Sequence, residues 1–201
     1  RTAARPLTAP FTVYLDPDAA AAKLVVGDQE RVLRVGEWSD WVSIEFPLMP
    51  LVRLRGICRF YLKQVAPAFE LYASPINLDP AAPAMPISVP ASYAGDLARR
   101  TGRFYTQGLA EDTKSLNEHI LSRDEFLRQA ALVNDELVRQ YSTVLDDFTD
   151  GLLFYYFGTL DQVSHMMWRA RDPDHPAVDA GRDAPYARVI DDLYLAFDRI
   201  V

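Results

Sequence analysis

Residues 151–165 read Gly151-Leu-Leu-Phe-Tyr-Tyr-Phe-Gly158-Thr-Leu-Asp161-Gln-Val-Ser-His165. The apolar run that stops at Gly158 has the length and composition of a strand buried on both faces. The residues from Asp161 to about Arg171 have the character of a helix, and Pro173 and Pro176 close that segment. The sequence therefore predicts a core strand over 151–158 that leads directly into a helix.

Asp161 and His165 form the most specific candidate site in the sequence. At a spacing of i, i+4 they lie on the same face of a helix, so both side chains can reach one ion. A carboxylate and a neutral imidazole suit zinc or a similar divalent metal, and the loop after a buried parallel strand commonly carries the chemistry of an open α/β sheet. Two ligands do not complete a tetrahedral site, so the others must come from elsewhere. The alternative is that Asp161 caps the helix and His165 packs under Trp168.

Composition excludes several classes of function. The 201 residues carry a net charge of −7, which argues against a nucleic-acid polymer as partner. No apolar run is long enough to cross a membrane, so no membrane partner is expected. The only cysteine, Cys58, lies in an apolar run and is expected to be a buried, inert thiol. The chain begins at Arg1 without an initiator Met or an apolar signal core, and we expect it to have been cut from a longer protein.

Two halves differ in their predicted secondary structure, which gives an α+β fold class. Residues 1–90 form an antiparallel β-rich subdomain that ends in a Pro-rich connector over 74–90, and residues 91–201 form a helical region around the core strand. In the first half, Gly27-Asp28-Gln29 predicts a hairpin turn. In the second half, Ser122-Arg-Asp-Glu125 is a capping-box signature at the start of a helix that continues to about Phe148. Strands are predicted over 11–15, 23–26, 30–35, 41–46, 52–65 and 69–73, and helices over 92–100, 112–121, 122–148, 161–171 and from Pro185 onward.

Other polar residues are weaker candidates. Trp168 and Arg169 follow the metal candidate on its helix and are predicted to line a pocket or to pack on the sheet. Asn77, in the connector, could reach a substrate, although loop structure alone explains it. His119 is best explained as a solvated surface residue, and His175 as part of a turn built by Asp and Pro.

The C-terminal third resembles the alkaline phosphatase superfamily, and within it the bacterial type I phosphodiesterase/nucleotide pyrophosphatase-like proteins. The resemblance is carried by Leu152 to Arg169 with its D-x-x-x-H, by Asp172-Pro-Asp-His175-Pro176, and by the upstream segments Leu71 to Pro80 and Tyr105 to Thr113. In that superfamily such an Asp and His bind one ion of a two-metal site, usually zinc. The resemblance thus implies that Asp161 and His165 are metal ligands. It also implies that the intact protein is an α/β/α sandwich with two zinc ions. This chain alone is expected to hold zinc only weakly.

The resemblance also has a large departure. The family's nucleophilic Thr or Ser, the Asp beside it, a second Asp-His pair and a further His have no matching motif in this chain. It is therefore expected to be an internal fragment of a metal-dependent hydrolase of small phosphate esters, without catalytic residues of its own and inert alone. The alternatives are a non-catalytic interaction or regulatory module, or a phosphomutase, sulfatase or phosphoglycerol transferase of the same superfamily. If only part of a β-sheet is present in this chain, one edge of the sheet has no neighbouring strand. We therefore expect the chain to form a homo-oligomer by pairing at that edge.

Overall fold

The computed structural model describes residues 7–49 and 52–200, and it has two compact units. Residues 1–107 belong to the first unit and residues 108–201 to the second. Antiparallel strands in small sheets fill the first unit, and most of the helices lie in the second. The fold is therefore a mixed α+β one, as predicted. The boundary at Gln107 lies beyond the predicted change of composition at Pro90, since the Tyr105 ring packs on Trp41 and the Thr106 N–H donates to Asn77, which bridges to Ile57 of the strands.

Among the described residues of the first unit, seven strands make three antiparallel sheets. Their order is β1-β2-β3, β4-β5 and β6-β7, and every pairing is antiparallel. Gly27 and Asp28 form the two-residue loop of the predicted hairpin, with Gly27 at a φ of +60°, a conformation that favours glycine. The strands are Thr12–Asp16 (β1), Ala21–Val26 (β2), Gln29–Arg34 (β3), Val42–Met49 (β4), Val52–Cys58 (β5), Phe60–Gln64 (β6) and Glu70–Ala73 (β7).

One apolar core holds these sheets together. From Ala22 to Val26, strand β2 alternates between buried and half-buried positions, as a strand with one face toward a core should. Cys58 lies in this core with 1% of its surface exposed, and burial raises the pKa of its thiol to about 12. The prediction of a buried thiol is thus confirmed. The core residues are Ala22, Leu24, Val26, Leu33, Val42, Ile44, Cys58, Phe60, Leu62 and Val65.

The long helix of the second unit begins at the predicted capping box. Ser122 Oγ accepts the Glu125 N–H, and Glu125 Oε2 accepts the Ser122 N–H at 2.7 Å. Helix α3 then continues for 25 residues, and Phe126, Ala130 and Val133 on its buried face lie at helical spacing. The helices are Tyr93–Thr101 (α1), Thr113–Asn117 (α2), Arg123–Asp147 (α3), Gly158–Arg171 (α4), Ala180–Asp183 (α5) and Val189–Phe197 (α6). Pro185 lies in a short 3-10 helix, Ala184–Tyr186, just before α6.

The main correction to the predicted fold concerns the core strand over 151–158. The structure assigns no strand between Gly151 and Gly158, and the prediction of a strand buried on both faces is wrong for this chain. Leu152 and Phe154 are 93% and 83% exposed. The physical reason is that a strand needs a neighbour, and the described part of the second unit contains no strand with which this segment could pair.

The segment nevertheless alternates in a strand-like manner. Leu152, Phe154 and Tyr156 are exposed, whereas Leu153, Tyr155 and Phe157 are half-buried. On the packed side, the Tyr155 and Phe157 rings lie 5.3 and 5.2 Å from the Tyr141 ring of α3. The Tyr155 hydroxyl also donates to the Leu137 carbonyl at 2.8 Å. One side of the run is therefore fixed and the other side is open.

No helix within residues 7–49 and 52–200 is both long enough and apolar enough to cross a bilayer.

Candidate functional site

Asp161 and His165 are brought together by helix α4. The helix begins at Gly158, so Asp161 lies in its first turn, where the helix dipole favours a negative charge. His165 Nε2 lies 3.4 Å from Asp161 Oδ1, and both side chains are largely exposed. Two ligands of one tetrahedral zinc ion, with bonds of about 2.0–2.1 Å, lie about 3.3 Å apart. The side chains therefore converge with a spacing that suits a shared ion.

The second oxygen of Asp161 is held by its neighbours. Gln162 Nε2 donates to Asp161 Oδ2 at 3.1 Å, and the Tyr156 hydroxyl donates to the same oxygen at 3.5 Å. The pKa of Tyr156 is raised by partial removal of its hydroxyl from water and by the negative charges of Asp161 and Glu111. These bonds orient the carboxylate so that Oδ1 remains directed at His165.

A buried carboxylate lies at the start of the same helix. Glu111 is 5% exposed, and its Oε1 accepts the Thr159 hydroxyl at 2.6 Å. Nothing in the local sequence pattern marks Glu111 as buried, and sequence reasoning missed it. Within residues 7–49 and 52–200, no group of three His, Cys, Asp or Glu residues could hold a metal ion. Asp161 and His165 are thus a pair of ligand-type side chains, and the described residues place no third beside them.

Trp168 and Arg169 line a groove that also contains His165. This groove has a volume of about 400 Å³ and lies entirely within the second unit. Trp168 is 48% exposed, and the Arg171 guanidinium lies 5.8 Å from its ring centre. Trp168 and Arg169, predicted either to line a pocket or to pack on the sheet, therefore border the same space as His165.

Arg169 is fixed in the groove by a buried carboxylate. Arg169 Nε lies 3.1 Å from Asp183 Oδ2, and Arg123 Nη1 lies 2.6 Å from Asp183 Oδ1. The Asp179 N–H donates to Asp183 Oδ2 at 2.7 Å. This bond and the charge of Arg123 lower the pKa of Asp183 below its ordinary value, against the opposing effect of burial. Sequence reasoning missed Asp183, since its partners are 14 and 60 residues away.

Asn77 lies in the first unit and is 2% exposed. Its Oδ1 accepts the Thr106 and Gln107 N–H groups at 2.8 and 3.2 Å, and its Nδ2 donates to the Pro75 carbonyl at 3.0 Å. Its backbone forms a bridge with Ile57 of β5, which passes so closely that a Cβ on Gly56 would lie 2.9 Å from the Asn77 carbonyl oxygen. The structure therefore gives Asn77 the role of ordering the connector.

A larger cavity, of about 570 Å³, lies in the first unit. Arg53 and Glu45, which are 3.5 Å apart, contribute opposite charges to its lining. Neither a histidine nor any of the predicted site residues lines it. The predicted site residues other than Asn77 thus lie in the second unit.

Comparison with protein-family models, with curated proteins and with solved structures gives no match for this chain.

Proposed function

We propose that this chain is an internal segment of a metal-dependent phosphoric-ester hydrolase, similar to the type I phosphodiesterase/nucleotide pyrophosphatase proteins of the alkaline phosphatase superfamily. Asp161 and His165 are the proposed ligands of one divalent ion, of zinc type. The single observation that carries the proposal is the 3.4 Å separation of His165 Nε2 and Asp161 Oδ1 on one helical turn. The resemblance of residues 152–169 to those proteins supports the same reading.

A bound metal pair would supply Lewis-acid polarisation of a phosphoryl oxygen and a hydroxide at neutral pH. The residues of this chain have supporting roles. Gln162 orients the Asp161 carboxylate through its 3.1 Å hydrogen bond. Arg169 and Trp168 border the adjacent groove, where they are positioned to contact a small phosphate ester. The nucleophile and the remaining ligands belong, in this proposal, to parts of the protein outside these 201 residues, and the chain alone is inert.

The proposal also assigns a place to each unit in the intact protein. The 151–158 run would become a strand of the parallel sheet in an α/β/α sandwich, which would cover Leu152 and Phe154. The β-rich first unit would be an insertion or a substrate-facing subdomain.

The alternative function is a non-catalytic interaction or regulatory module. The observation that favours it is that the described residues provide only two metal ligands, both exposed. A phosphomutase, a sulfatase or a phosphoglycerol transferase would share these ligands, because specificity resides in the pocket and not in the common metal site. Substrate profiling of the intact protein separates these chemistries.

Metal binding by the 201-residue chain tests the ligand assignment. We expect weak binding of zinc in isothermal titration, and loss of that binding in Asp161→Asn and in His165→Gln. Asp191→Asn and His119→Asn are matched controls, since each removes one ligand-type side chain from outside the pair. Equal binding by all four variants would contradict the assignment.

Hydrolysis by the intact protein tests the reaction. Turnover of bis(p-nitrophenyl) phosphate should fall by about 100-fold or more in Asp161→Ala and His165→Ala, because loss of a ligand costs more than loss of a supporting group. Unchanged turnover in folded, metal-loaded variants would rule out the hydrolase assignment. A parent sequence with no Thr or Ser nucleophile before this segment and no Asp-His pair after it would favour the interaction module.

A further inference from the structure

A second cavity of the second unit lies between helices α3, α4 and α6. It has a volume of about 320 Å³, at the lower end of the range for small-molecule sites, and it shares no lining residue with the groove that contains His165. Its wall is mainly aliphatic, with Leu127 on α3, Val163 on α4 and Leu193 on α6. Three helices of one unit therefore border a space that suits an apolar group.

The charged residues of this cavity are acidic. Asp135 and Asp192 line it, and in the part of the chain that the structure describes no Lys, Arg or His does so. Arg188 lies 3.7 Å from Asp192, but both side chains are largely exposed, so water screens this pair. Residues 108–201 carry 18 Asp and Glu against nine Lys and Arg, so the surroundings add to the negative charge. The cavity therefore favours a positively charged ligand over a neutral or negative one.

Two further polar groups of the cavity offer acceptor atoms. Asn134 Oδ1 is buried and accepts no hydrogen bond from any residue that the structure describes. A buried acceptor without a donor is unfavourable, and because Asn134 lines the cavity and is only half-buried, a turn of its amide presents this oxygen to a ligand. The Thr159 hydroxyl donates to Glu111 at 2.6 Å, so its oxygen remains an acceptor. A matching ligand would therefore bring donors of its own.

We propose that this cavity binds a primary alkylammonium compound, with its chain against the aliphatic wall and its ammonium group beside Asp135. An ammonium group brings one positive charge and three donors, which match the carboxylates and the two acceptor oxygens. A quaternary ammonium group has no N–H and is typically enclosed by aromatic rings, and none of the described residues that line this cavity is aromatic. The site does not use Asp161 or His165, so it does not rest on the proposed hydrolase function.

Hexylammonium is the probe for the test, titrated into the isotope-labelled 201-residue chain at constant ionic strength and followed by amide NMR shifts. We expect saturable shifts at the lining residues of α3, α4 and α6. Hexanol, which lacks the charge, and hexyltrimethylammonium, which lacks the N–H donors, should each bind about tenfold more weakly. Equally tight binding of either compound, or of hexanoate, would overturn the primary-ammonium assignment.

Two variants test the position of the site. Asp135→Asn should weaken hexylammonium binding by about fivefold, since it removes one exposed charge beside the ligand. Ala131→Leu should weaken it to a similar extent, because the larger side chain takes up part of the cavity from an exposed position on α3.

Asp146→Asn is the matched control, since it removes an exposed carboxylate of the same helix from outside the cavity. It should bind hexylammonium within about twofold of the wild type. Equal weakening in Asp135→Asn and Asp146→Asn would overturn the proposal in favour of general charge attraction, and a lack of saturable shifts in the wild type would overturn it outright. Asp161→Asn separates the two proposals, because it should lose zinc and keep hexylammonium.

Discussion

Arg123 Nη1 lies 2.6 Å from Asp183 Oδ1, which links the first turn of α3 to a segment 60 residues later. Asp183 is almost fully buried and receives a second guanidinium from Arg169. This carboxylate therefore joins α3 to α4 and to the chain that follows, and it fixes the basic side of the groove.

Asp183→Asn should destabilise the second unit by about 2–3 kcal/mol, because it leaves two partly buried guanidinium groups without their common charge. Far-UV circular dichroism at 222 nm reports mainly on the second unit, where most of the helical residues lie. Urea unfolding by this signal measures the loss. Asp191→Asn removes an exposed ion pair with Arg171 and should cost less than about 0.5 kcal/mol. Equal losses in the two variants would contradict the buried role.

Acid should destabilise the wild-type chain in part because the Asp183 carboxylate becomes protonated. The pKa of Asp183 is lowered in the folded state, so the unfolded state binds more protons and stability rises with pH in that window. The contribution is complete above the ordinary aspartate pKa of about 4 and is lost as pH falls through the lowered folded value. We expect the pH dependence of urea midpoints below about pH 4 to be shallower in Asp183→Asn than in the wild type. An identical slope would refute this linkage.

Ser122→Ala should lower the free energy of unfolding by about 1 kcal/mol, because the capping box at the start of α3 loses its hydroxyl acceptor. Ser142→Ala on the same helix is the control. The Ser142 hydroxyl donates to the Val138 carbonyl one turn earlier, a bond that adds little to helix stability, and this change should be near neutral. A cap variant as stable as the Ser142 variant would show that the box is dispensable.

Cys58 should be inert to alkylation in the folded chain. Its pKa of about 12 leaves almost no thiolate at pH 8, and its side chain is closed to solvent. Iodoacetamide labelling followed by mass spectrometry should therefore be fast in urea and at least 100-fold slower without it, as about three pKa units imply. Rapid labelling under native conditions would show that the core of the first unit opens readily.

The open side of residues 152–156 should promote self-association. Leu152 and Phe154 expose apolar side chains at adjacent outward positions of one extended segment. Sedimentation velocity over a range of concentrations should show association in the wild type and weaker association in Leu152→Ser/Phe154→Ser. Leu195→Ser, which removes an exposed leucine on α6, should behave as the wild type does. Association that is unchanged in the double variant would place the contact elsewhere.

Local rules predicted individual elements well. The hairpin at Gly27-Asp28 and the capping box at Ser122 each depend on a few neighbouring residues, and both are present. The convergence of Asp161 and His165 is also local, since one helical turn sets it. Their use as metal ligands stays a prediction.

Tertiary relationships set the limit of sequence reasoning. The 151–158 run has the composition of a buried strand, but a strand's burial depends on partners that the run itself does not specify. Its apolar residues instead divide between an aromatic contact with Tyr141 and an open side. In the same way, Asp183 and the three histidines acquire their environment from contacts many residues away, and no periodicity in the sequence indicates them.

Because residues 152–157 are already packed on one side, pairing them with another segment would cost less free energy. Tyr155 and Phe157 already hold this segment against α3. The conformational entropy that a free loop would lose on pairing with a neighbour is therefore mostly lost before any neighbour arrives. A second β-segment would therefore pair with a segment whose outward side chains already have the spacing of a strand. Helix α4, which carries Asp161 and His165, would not have to move for this pairing.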